Sequence, residues 1–319
     1  MNSIINDSLA FALPLFIIAI GGIYSEGSGV INLALEGLLG VGAFFGGLAF
    51  AMISTKIGAT SDSIIYISLL FSMIGGGLFA ILYASLVIKF KANQVISGIV
   101  INMLSVSLTA FLANQLNYSI FGQASNKFML AVFPRVTIPA LVKIPIIGAF
   151  FNGTYVFEYI IIVVALIMWF ILYKTPYGMS LRACGDNPQA VATAGRDVNK
   201  IRFSAVIISG AMAGLGGMCF AYSISTNFSP SIYVGYGYLA IAAYIFGSYK
   251  IGQTLFACLI FGFSRTFGYI IVQALALPST FGDLAMTFPY IVTLILLIFF
   301  SKNFRAPKGL GEVYEKSKR

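Results

Sequence analysis

The chain has 319 residues, of which 59% are hydrophobic and only 9% are charged. Soluble domains average about 25% charged residues, so this composition excludes a soluble fold and indicates that much of the apolar surface faces lipid. The net charge of +9 resides mainly in connecting segments and at the C-terminus, without the basic stripe of a nucleic-acid-binding surface. The chain has no histidine, and its three cysteines lie far apart, so no metal site, cofactor or disulfide framework is expected.

Long continuous apolar runs predict helices rather than alternating strands. A bilayer core of about 30 Å needs roughly 20 apolar residues per helix, so we expect an all-α, polytopic transmembrane helix bundle of about nine spans, within a range of eight to ten. One segment is short for a full crossing, so some spans are expected to be broken or re-entrant. The predicted spans are Ser8–Tyr24, Val30–Met52, Ile64–Ile88, Val95–Gln115, Phe157–Tyr173, Phe203–Ser223, the short Tyr233–Ser248, Thr254–Ala276 and Asp283–Phe300.

The basic residues predict the orientation, because Lys and Arg gather in short cytoplasmic loops. With nine crossings, four basic groups fall on one side, which places the N-terminus outside and the C-terminus in the cytoplasm. The long loop Leu116–Thr154 departs from this rule with Lys127, Arg135 and Lys143, as long loops often do. The four groups are Lys89 and Lys91; Lys174, Arg182, Arg196, Lys200 and Arg202; Lys250; and Lys302, Arg305, Lys308, Lys316, Lys318 and Arg319.

The beginning of the chain lacks a basic segment and a clear cleavage site, so it is interpreted as a retained first span rather than a signal peptide. We therefore expect residues 1–319 to form a single transmembrane domain with a large cytoplasmic segment, 174–202, and a cytoplasmic tail, 301–319.

Segment 174–202 contains a predicted short helix. Asp186 or Asn187 suits the N-cap, Pro188 the first helical position, and Gly195 the stop. Spacing alone favours an ordinary capped loop helix, although a short helix with an exposed apolar face also suits docking to a partner.

Polar residues at membrane depth are the candidate site residues, because such groups are costly unless they face an interior path or a partner. Asn32 and Glu36 are four residues apart and are predicted to share one helix face. Asn102 lies in a polar cluster that opens the fourth span. Arg265 lies near the middle of the eighth span, either in an ion pair within the bundle, with Glu36 as a candidate partner, or along an aqueous path.

Two segments have the composition of interrupted helices, which form mid-membrane pathways in transporters. They are the glycine-rich opening of the second span and the sequence YVGYGYLAIAAYIFG before the eighth. There is no GxxxxGK[ST] phosphate loop, so ATP hydrolysis of that type is not expected in this chain.

Several stretches together resemble the permease subunits of bacterial ABC importers in the branched-chain amino acid and simple-sugar group, specifically the nucleoside-type branch. They are SEGSGVINLALEGLLGVGAFFG (Ser25–Gly46), KANQVISGIVINML (Lys91–Leu104) and Leu181–Gly217, followed by YGYLAIAAYIFG and RAPKGLGE in matching order. Departures from the family pattern include Gln94 in place of a usual acidic residue and SYKIGQT in place of a more usual turn. Because of these departures, the motifs alone do not specify the substrate.

The resemblance implies a multi-pass protein of the cytoplasmic (inner) membrane that is not itself an enzyme. A separate ABC ATPase subunit would dock beneath it, an extracytoplasmic substrate-binding protein would deliver a nucleoside or sugar, and a second permease subunit, the same or paralogous, would complete the path within the membrane lipid. The short helix matches the family's coupling segment, so the candidate ATPase contacts are Asn187, Pro188, Ala190, Ala194 and Gly195. The candidate translocation path comprises Asn32, Glu36, Asn102 and Arg265.

The leading hypothesis is therefore the permease of an ATP-driven nucleoside importer. Asn32-Leu33-Ala34 stands where the sugar branch usually carries Asp-Leu-Ser, which favours nucleosides over ribose, another simple sugar or a branched-chain amino acid. A stand-alone channel or an ion-coupled carrier is a further alternative. A membrane-embedded enzyme is disfavoured, because the sequence offers no catalytic cluster.

Overall fold

The structure is a computed structural model. It describes residues 2–57, 62–132, 134–142, 147–231, 235–275, 278, 281, 287–300 and 306–315. The helices are α1 (Asn2–Gly27), α2 (Leu35–Ile57), α3 (Asp62–Ala84), α4 (Gln94–Phe121), α5 (Pro139–Val142), α6 (Val156–Lys174), α7 (Pro176–Asp186), α8 (Pro188–Thr193), α9 (Val198–Phe220), α10 (Tyr236–Phe246), α11 (Ile251–Ala274) and α12 (Phe288–Phe300). One-turn π-helices extend α3 over Ser85–Lys89 and α9 over Ala221–Ser225.

Within the described residues, seven helices are long and apolar enough to cross a membrane: α1, α2, α3, α4, α6, α9 and α11. Two apolar helices are shorter, α10 with 11 residues and α12 with 13. The prediction of an all-α polytopic bundle is therefore confirmed, and each predicted span overlaps one of these helices. Some residues used for the span and orientation predictions lie outside the described ranges: Lys143, Tyr233, Ala276, Asp283, Lys302, Arg305, Lys316, Lys318 and Arg319.

One predicted boundary is wrong. The second span was expected to begin at Val30, but α2 begins at Leu35, and the preceding residues 30–34 form no helix. Val30 and Ala34 are nevertheless buried, so this segment enters the bundle without regular structure. Hydropathy detects burial in lipid or protein and does not distinguish a helix from a buried extended segment.

The centre of the bundle is α9, which packs against α1, α2 and α3. Its small residues allow the backbones to approach closely, as is usual between membrane helices. A Cβ atom at Gly214 would overlap the carbonyl oxygen of Ser72 in α3, and one at Gly217 would overlap the carbonyl oxygen of Leu39 in α2. By contrast α4, α6 and α11 are mostly exposed and form the periphery.

The connections near the far end of α4 contain two short antiparallel strand pairs. Strand β1 (Phe128–Met129) pairs with β4 (Asn227–Phe228), and β2 (Arg135–Val136) pairs with β3 (Thr154–Tyr155). Phe128 and Phe228 are buried beside each other, with ring centroids 5.9 Å apart. The long loop is thereby attached to the end of α9.

Candidate functional site

The two interrupted segments meet at Glu36. This residue lies in the first turn of α2, and its carboxylate accepts hydrogen bonds from the backbone N–H groups of Gly235 and, at 2.7 Å, Gly237. Those groups are at the N-terminus of α10, where N–H groups lack helical partners and carry partial positive charge. A helix end therefore compensates the half-buried carboxylate.

Glycine is required at the start of α10. Gly235 has a φ of +97°, which side chains rarely adopt, and a Cβ atom there would overlap the hydroxyl of Tyr290. A Cβ atom at Gly237 would overlap Glu36 itself. Gly235 and Gly237 thus allow the close approach that the carboxylate needs.

Asn102, in α4, links the same two helix ends. Its Oδ1 accepts from the N–H of Gly37 at 2.8 Å, and its Nδ2 donates to the carbonyl oxygen of Leu33 at 2.8 Å and to the hydroxyl of Tyr238 at 3.0 Å. The amide oxygen and both N–H donors are therefore engaged. We refer to Glu36, Asn102, Gly235 and Tyr238 as the polar junction.

Asn32 lies in the non-helical segment 30–34 before α2 and connects this segment to α9. Its Oδ1 accepts from the N–H of Ala34 at 3.1 Å, and its Nδ2 donates to Ser209 Oγ of α9 at 2.9 Å. The prediction that Asn32 and Glu36 share a helix face is wrong, because the helix begins only at Leu35.

Two residues that the sequence did not single out as site residues complete this region. Glu26 is buried at the end of α1 and accepts from the hydroxyls of Tyr244 at 2.7 Å and Tyr249 at 3.0 Å. Gln94 Oε1 accepts from the N–H of Ile31 at 2.8 Å. The sequence feature that could have identified Glu26 is its position beside the glycine-rich opening of the second span. For Gln94 that feature is the polar cluster in which it lies.

Arg265 lies apart from the polar junction. Its guanidinium carbon lies 4.7 Å from the ring centroid of Phe11 and 5.1 Å from that of Tyr269. No ion pair joins it to Glu36 in the described part of the chain, because the Glu36 carboxylate is occupied by backbone N–H groups. Arg265 instead lines a separate cavity of 390 Å³.

The predicted short helix is present as α8. Asn187, rather than Asp186, is the N-cap, with its Oδ1 accepting from the N–H of Ala190 at 3.1 Å. Pro188 is the first helical residue, and Gly195 follows the helix with a φ of +79°. Pro188 is buried, whereas Ala190 and Ala194 are exposed. The helix therefore presents small side chains outward from a fixed base.

The segment 306–315 folds against the end of the bundle that carries α8. The N–H of Gly309 donates to the carbonyl oxygen of Gly185 at 2.8 Å, and that of Gly311 donates to Gly29 at 3.0 Å. Arg202, which is buried, donates through Nε to the carbonyl oxygen of Ser28 at 3.1 Å and through Nη1 to that of Glu312 at 2.7 Å. In the sequence Arg202 is recognisable only as one of the basic residues of segment 174–202, so this role was not predicted.

These features define the class of protein. The described residues contain seven membrane-length helices and two interrupted segments that meet on a half-buried carboxylate, and these are the features of a polytopic transport protein. The family model described as the permease component of branched-chain amino acid transport systems matches residues 4–300, and the chain belongs to that family. It is thus an ABC-type permease subunit, an integral protein of the cytoplasmic membrane, as the sequence motifs predicted.

Individual relatives agree with this assignment. The chain is 38% identical over 321 residues to the guanosine ABC transporter permease protein NupQ of Bacillus subtilis, covering 100% of this chain and 98% of the relative. It is 35% identical to the nucleoside ABC transporter permease protein NupC of Lactococcus lactis, again covering 100% and 98%. A putative glucose ABC transporter permease protein of Haloferax volcanii, TsgC13, is 30% identical over 81% of this chain and 74% of the relative. No solved structure matches the chain.

Proposed function

We propose that the chain is the membrane-spanning subunit of an importer that moves nucleosides into the cell, powered by ATP hydrolysis in a separate ABC ATPase subunit. The observation that carries this proposal is the full-length similarity to two permeases whose names specify guanosine and nucleosides. An extracytoplasmic binding protein delivers the nucleoside, and a second permease subunit, identical or paralogous, completes the path.

In the proposed topology, residues 1–319 form one transmembrane domain with nine crossings, the N-terminus outside and the C-terminus in the cytoplasm. The short helices α10 and α12 each form part of a crossing, and the non-helical segment 30–34 forms part of another. The basic residues support this arrangement, since segment 174–202 then lies on the cytoplasmic side. The tail 301–319 lies on that side as well.

The ATPase docks on α8 in this proposal. The exposed faces of Ala190 and Ala194 supply small, closely approachable contacts, and the Asn187 cap, Pro188 and Gly195 hold the helix in a fixed position. Segment 306–315 ties the base of α8 to the α1–α2 turn, so a displacement of α8 is transmitted to the segment before α2.

The translocation path passes the polar junction. Glu36 and Asn102 hold together the ends of two interrupted helices, and parting these ends opens a route at membrane depth. Asn32 is fully buried against α9, so its part is to anchor the non-helical segment 30–34 rather than to contact the nucleoside. Arg265 contributes a basic, aromatic-lined cavity along the path.

Reconstitution with the neighbouring subunits in proteoliposomes tests this function. Uptake of labelled nucleoside and nucleoside-stimulated ATP hydrolysis are expected only when the permease, ATPase and binding protein are all present. Uptake that persists without the ATPase would instead identify a channel or an ion-coupled carrier.

A sugar is the second candidate cargo, because a relative that covers 81% of the chain is named for glucose. Competition of labelled uridine uptake by guanosine, adenosine, ribose and glucose separates the two. Nucleosides alone are expected to compete, and competition by a free sugar would reverse the assignment.

A further inference from the structure

The cavity lined by Arg265 is separate from the polar junction. It lies between α1, the π-helical end of α9 and α11. It measures 390 Å³, which is within the range of about 300–1,000 Å³ that small-molecule sites occupy. Polar and aromatic side chains line it together, including Asp7, Ser223 and Arg265 and the rings of Phe11, Tyr155 and Tyr269. A purely structural void among membrane helices would be apolar.

Two buried polar atoms in this lining have no hydrogen-bond partner among the described residues, Arg265 Nε and Ser223 Oγ. Buried donors are nearly always satisfied in folded proteins, and each exception calls for an explanation. Both atoms belong to residues that line the same cavity, so its polar lining is not fully paired among the described residues.

Arg265 hydrogen-bonds to the hydroxyl of Tyr236 through part of its guanidinium edge, while its Nε has no partner among the described residues. Phe11 and Tyr269 interact with the face of the guanidinium group, as in cation–π pairs. No carboxylate forms an ion pair with Arg265 in the described parts of the chain. The edge of the group is a rigid fork of N–H donors, which suits two adjacent acceptors on a planar molecule.

The remaining lining restricts the chemistry of that molecule. Asp7 offers an acceptor, which disfavours an anionic guest and favours one that also donates. Tyr155 supplies a further aromatic ring. A planar heterocycle with neighbouring acceptors on one edge and N–H donors on another fits this set. In nucleic-acid recognition, arginine binds O6 and N7 of guanine in this manner.

We propose that this cavity binds the base of a 6-oxopurine nucleoside during transport, with Arg265 donating to O6 and N7 and Asp7 accepting from N1–H. The proposal rests on the proposed function and specifies the cargo. The cavity also has a route to the polar junction. The Phe11 ring lies 5.3 Å from that of Tyr236, the first residue of α10, and the N–H of the preceding Gly235 donates to Glu36. A base bound at Arg265 would therefore lie beside Phe11, which contacts the first residue of α10.

The test is photolabelling of the reconstituted importer with 8-azidoguanosine, followed by peptide mapping, together with guanosine and adenosine uptake. In the unmodified importer, label is expected in α1 or α11 near Phe11 or Tyr269. Arg265→Gln is expected to lower this labelling and guanosine uptake by about tenfold or more, since a bidentate arginine–guanine contact contributes roughly 1–3 kcal/mol. Lys127→Gln, which removes a cation outside the cavity, is the matched control and should change neither.

A second variant distinguishes a loss of base recognition from a loss of folding. Arg265→Lys keeps the positive charge but loses the fork, so it is expected to reduce the preference for guanosine over adenosine while ATPase association stays unchanged. Labelling elsewhere in an active importer, or an unchanged guanosine preference in both Arg265 variants, would overturn the cavity assignment and leave the nucleoside function intact. Absence of nucleoside uptake in the unmodified importer would overturn the proposed function instead.

Discussion

Glu36 shows how a membrane protein can hold a carboxylate inside the bundle without a cation. Unpaired charges are expensive at this depth, and the sequence offered Arg265 as the obvious compensating residue. The partners are instead two backbone N–H groups that lie 199 and 201 residues further along the chain. Backbone groups leave no signature of their own in a sequence, so this contact could not be predicted. The surrounding glycines did indicate that the helix is interrupted near this point.

Replacing Glu36 by Gln tests the importance of this charge. The amide keeps one acceptor but turns an N–H₂ group toward a backbone donor, which leaves buried donors unsatisfied. Because hydrogen bonds to charged groups contribute about 1.5–3 kcal/mol, we expect a loss of that order in the free energy of unfolding, together with reduced uptake. Denaturant unfolding in detergent and nucleoside uptake provide the measurements. Glu312→Gln is the control, since only the main-chain oxygen of Glu312 binds Arg202. Equal stability in the two variants would contradict the role assigned to Glu36.

At the scale of elements, local sequence signals were reliable where the structure depends on neighbouring residues. The α8 cap, its first residue and its glycine stop follow from side-chain chemistry within nine residues, and they were predicted, with Asn187 as one of two candidates. The beginning of α2 was not, because Asn32, Gln94 and Asn102 hold the preceding segment in a non-helical conformation through contacts with distant helices. A hydropathy window averages over such a break.

The glycines of α9 give a prediction about helix packing. Gly214→Ala places a methyl group against the carbonyl oxygen of Ser72 and the backbone of Gly42, where there is no space. Overpacking of this kind costs about 1–3 kcal/mol, so we expect a lower thermal unfolding temperature in detergent. Gly252→Ala in α11 meets no atom within 4 Å and should be neutral or slightly stabilising, since alanine favours helix over glycine. A larger loss at Gly252 than at Gly214 would refute the packing argument.

The exposed face of α8 gives a prediction about assembly. Ala190→Asp introduces a charge on the proposed ATPase contact without disturbing a buried side chain. We expect loss of ATPase co-purification and of uptake, with normal membrane insertion and unfolding temperature. Ala183→Asp, on the exposed side of α7, is the matched control. Normal ATPase association and uptake in the Ala190 variant would exclude α8 as the coupling element.

At the scale of the whole molecule, composition was sufficient for the fold class, because only lipid can accommodate so much apolar surface. The orientation depends on whether the number of crossings is odd or even. That number depends on whether the short helices α10 and α12 each contribute to a crossing, so the orientation needs its own measurement. The native cysteines are expected to react little with a maleimide, so an introduced cysteine can be labelled selectively. Cys184, Cys219 and Cys258 are all buried, and burial raises the pKa of the Cys184 thiol, which lowers its reactive thiolate fraction at neutral pH.

Two single substitutions test the orientation. Lys127→Cys and Ala190→Cys introduce exposed thiols at opposite ends of the bundle in the proposed topology. A membrane-impermeant maleimide should label Lys127→Cys in intact cells and Ala190→Cys only after permeabilisation. Labelling of both thiols from the same side would rule out the nine-crossing arrangement.

The attachment of segment 306–315 has a consequence for biosynthesis. Arg202 lies buried against the α1–α2 turn, and one of its hydrogen bonds ends on Glu312, 110 residues later. During translation this guanidinium group is inserted long before that partner emerges from the ribosome. The base of α8 therefore acquires its final contacts only when the last described residues fold back. Assembly with an ATPase on this surface would accordingly follow completion of the chain, and a nascent or truncated permease would offer its partner an unfinished surface.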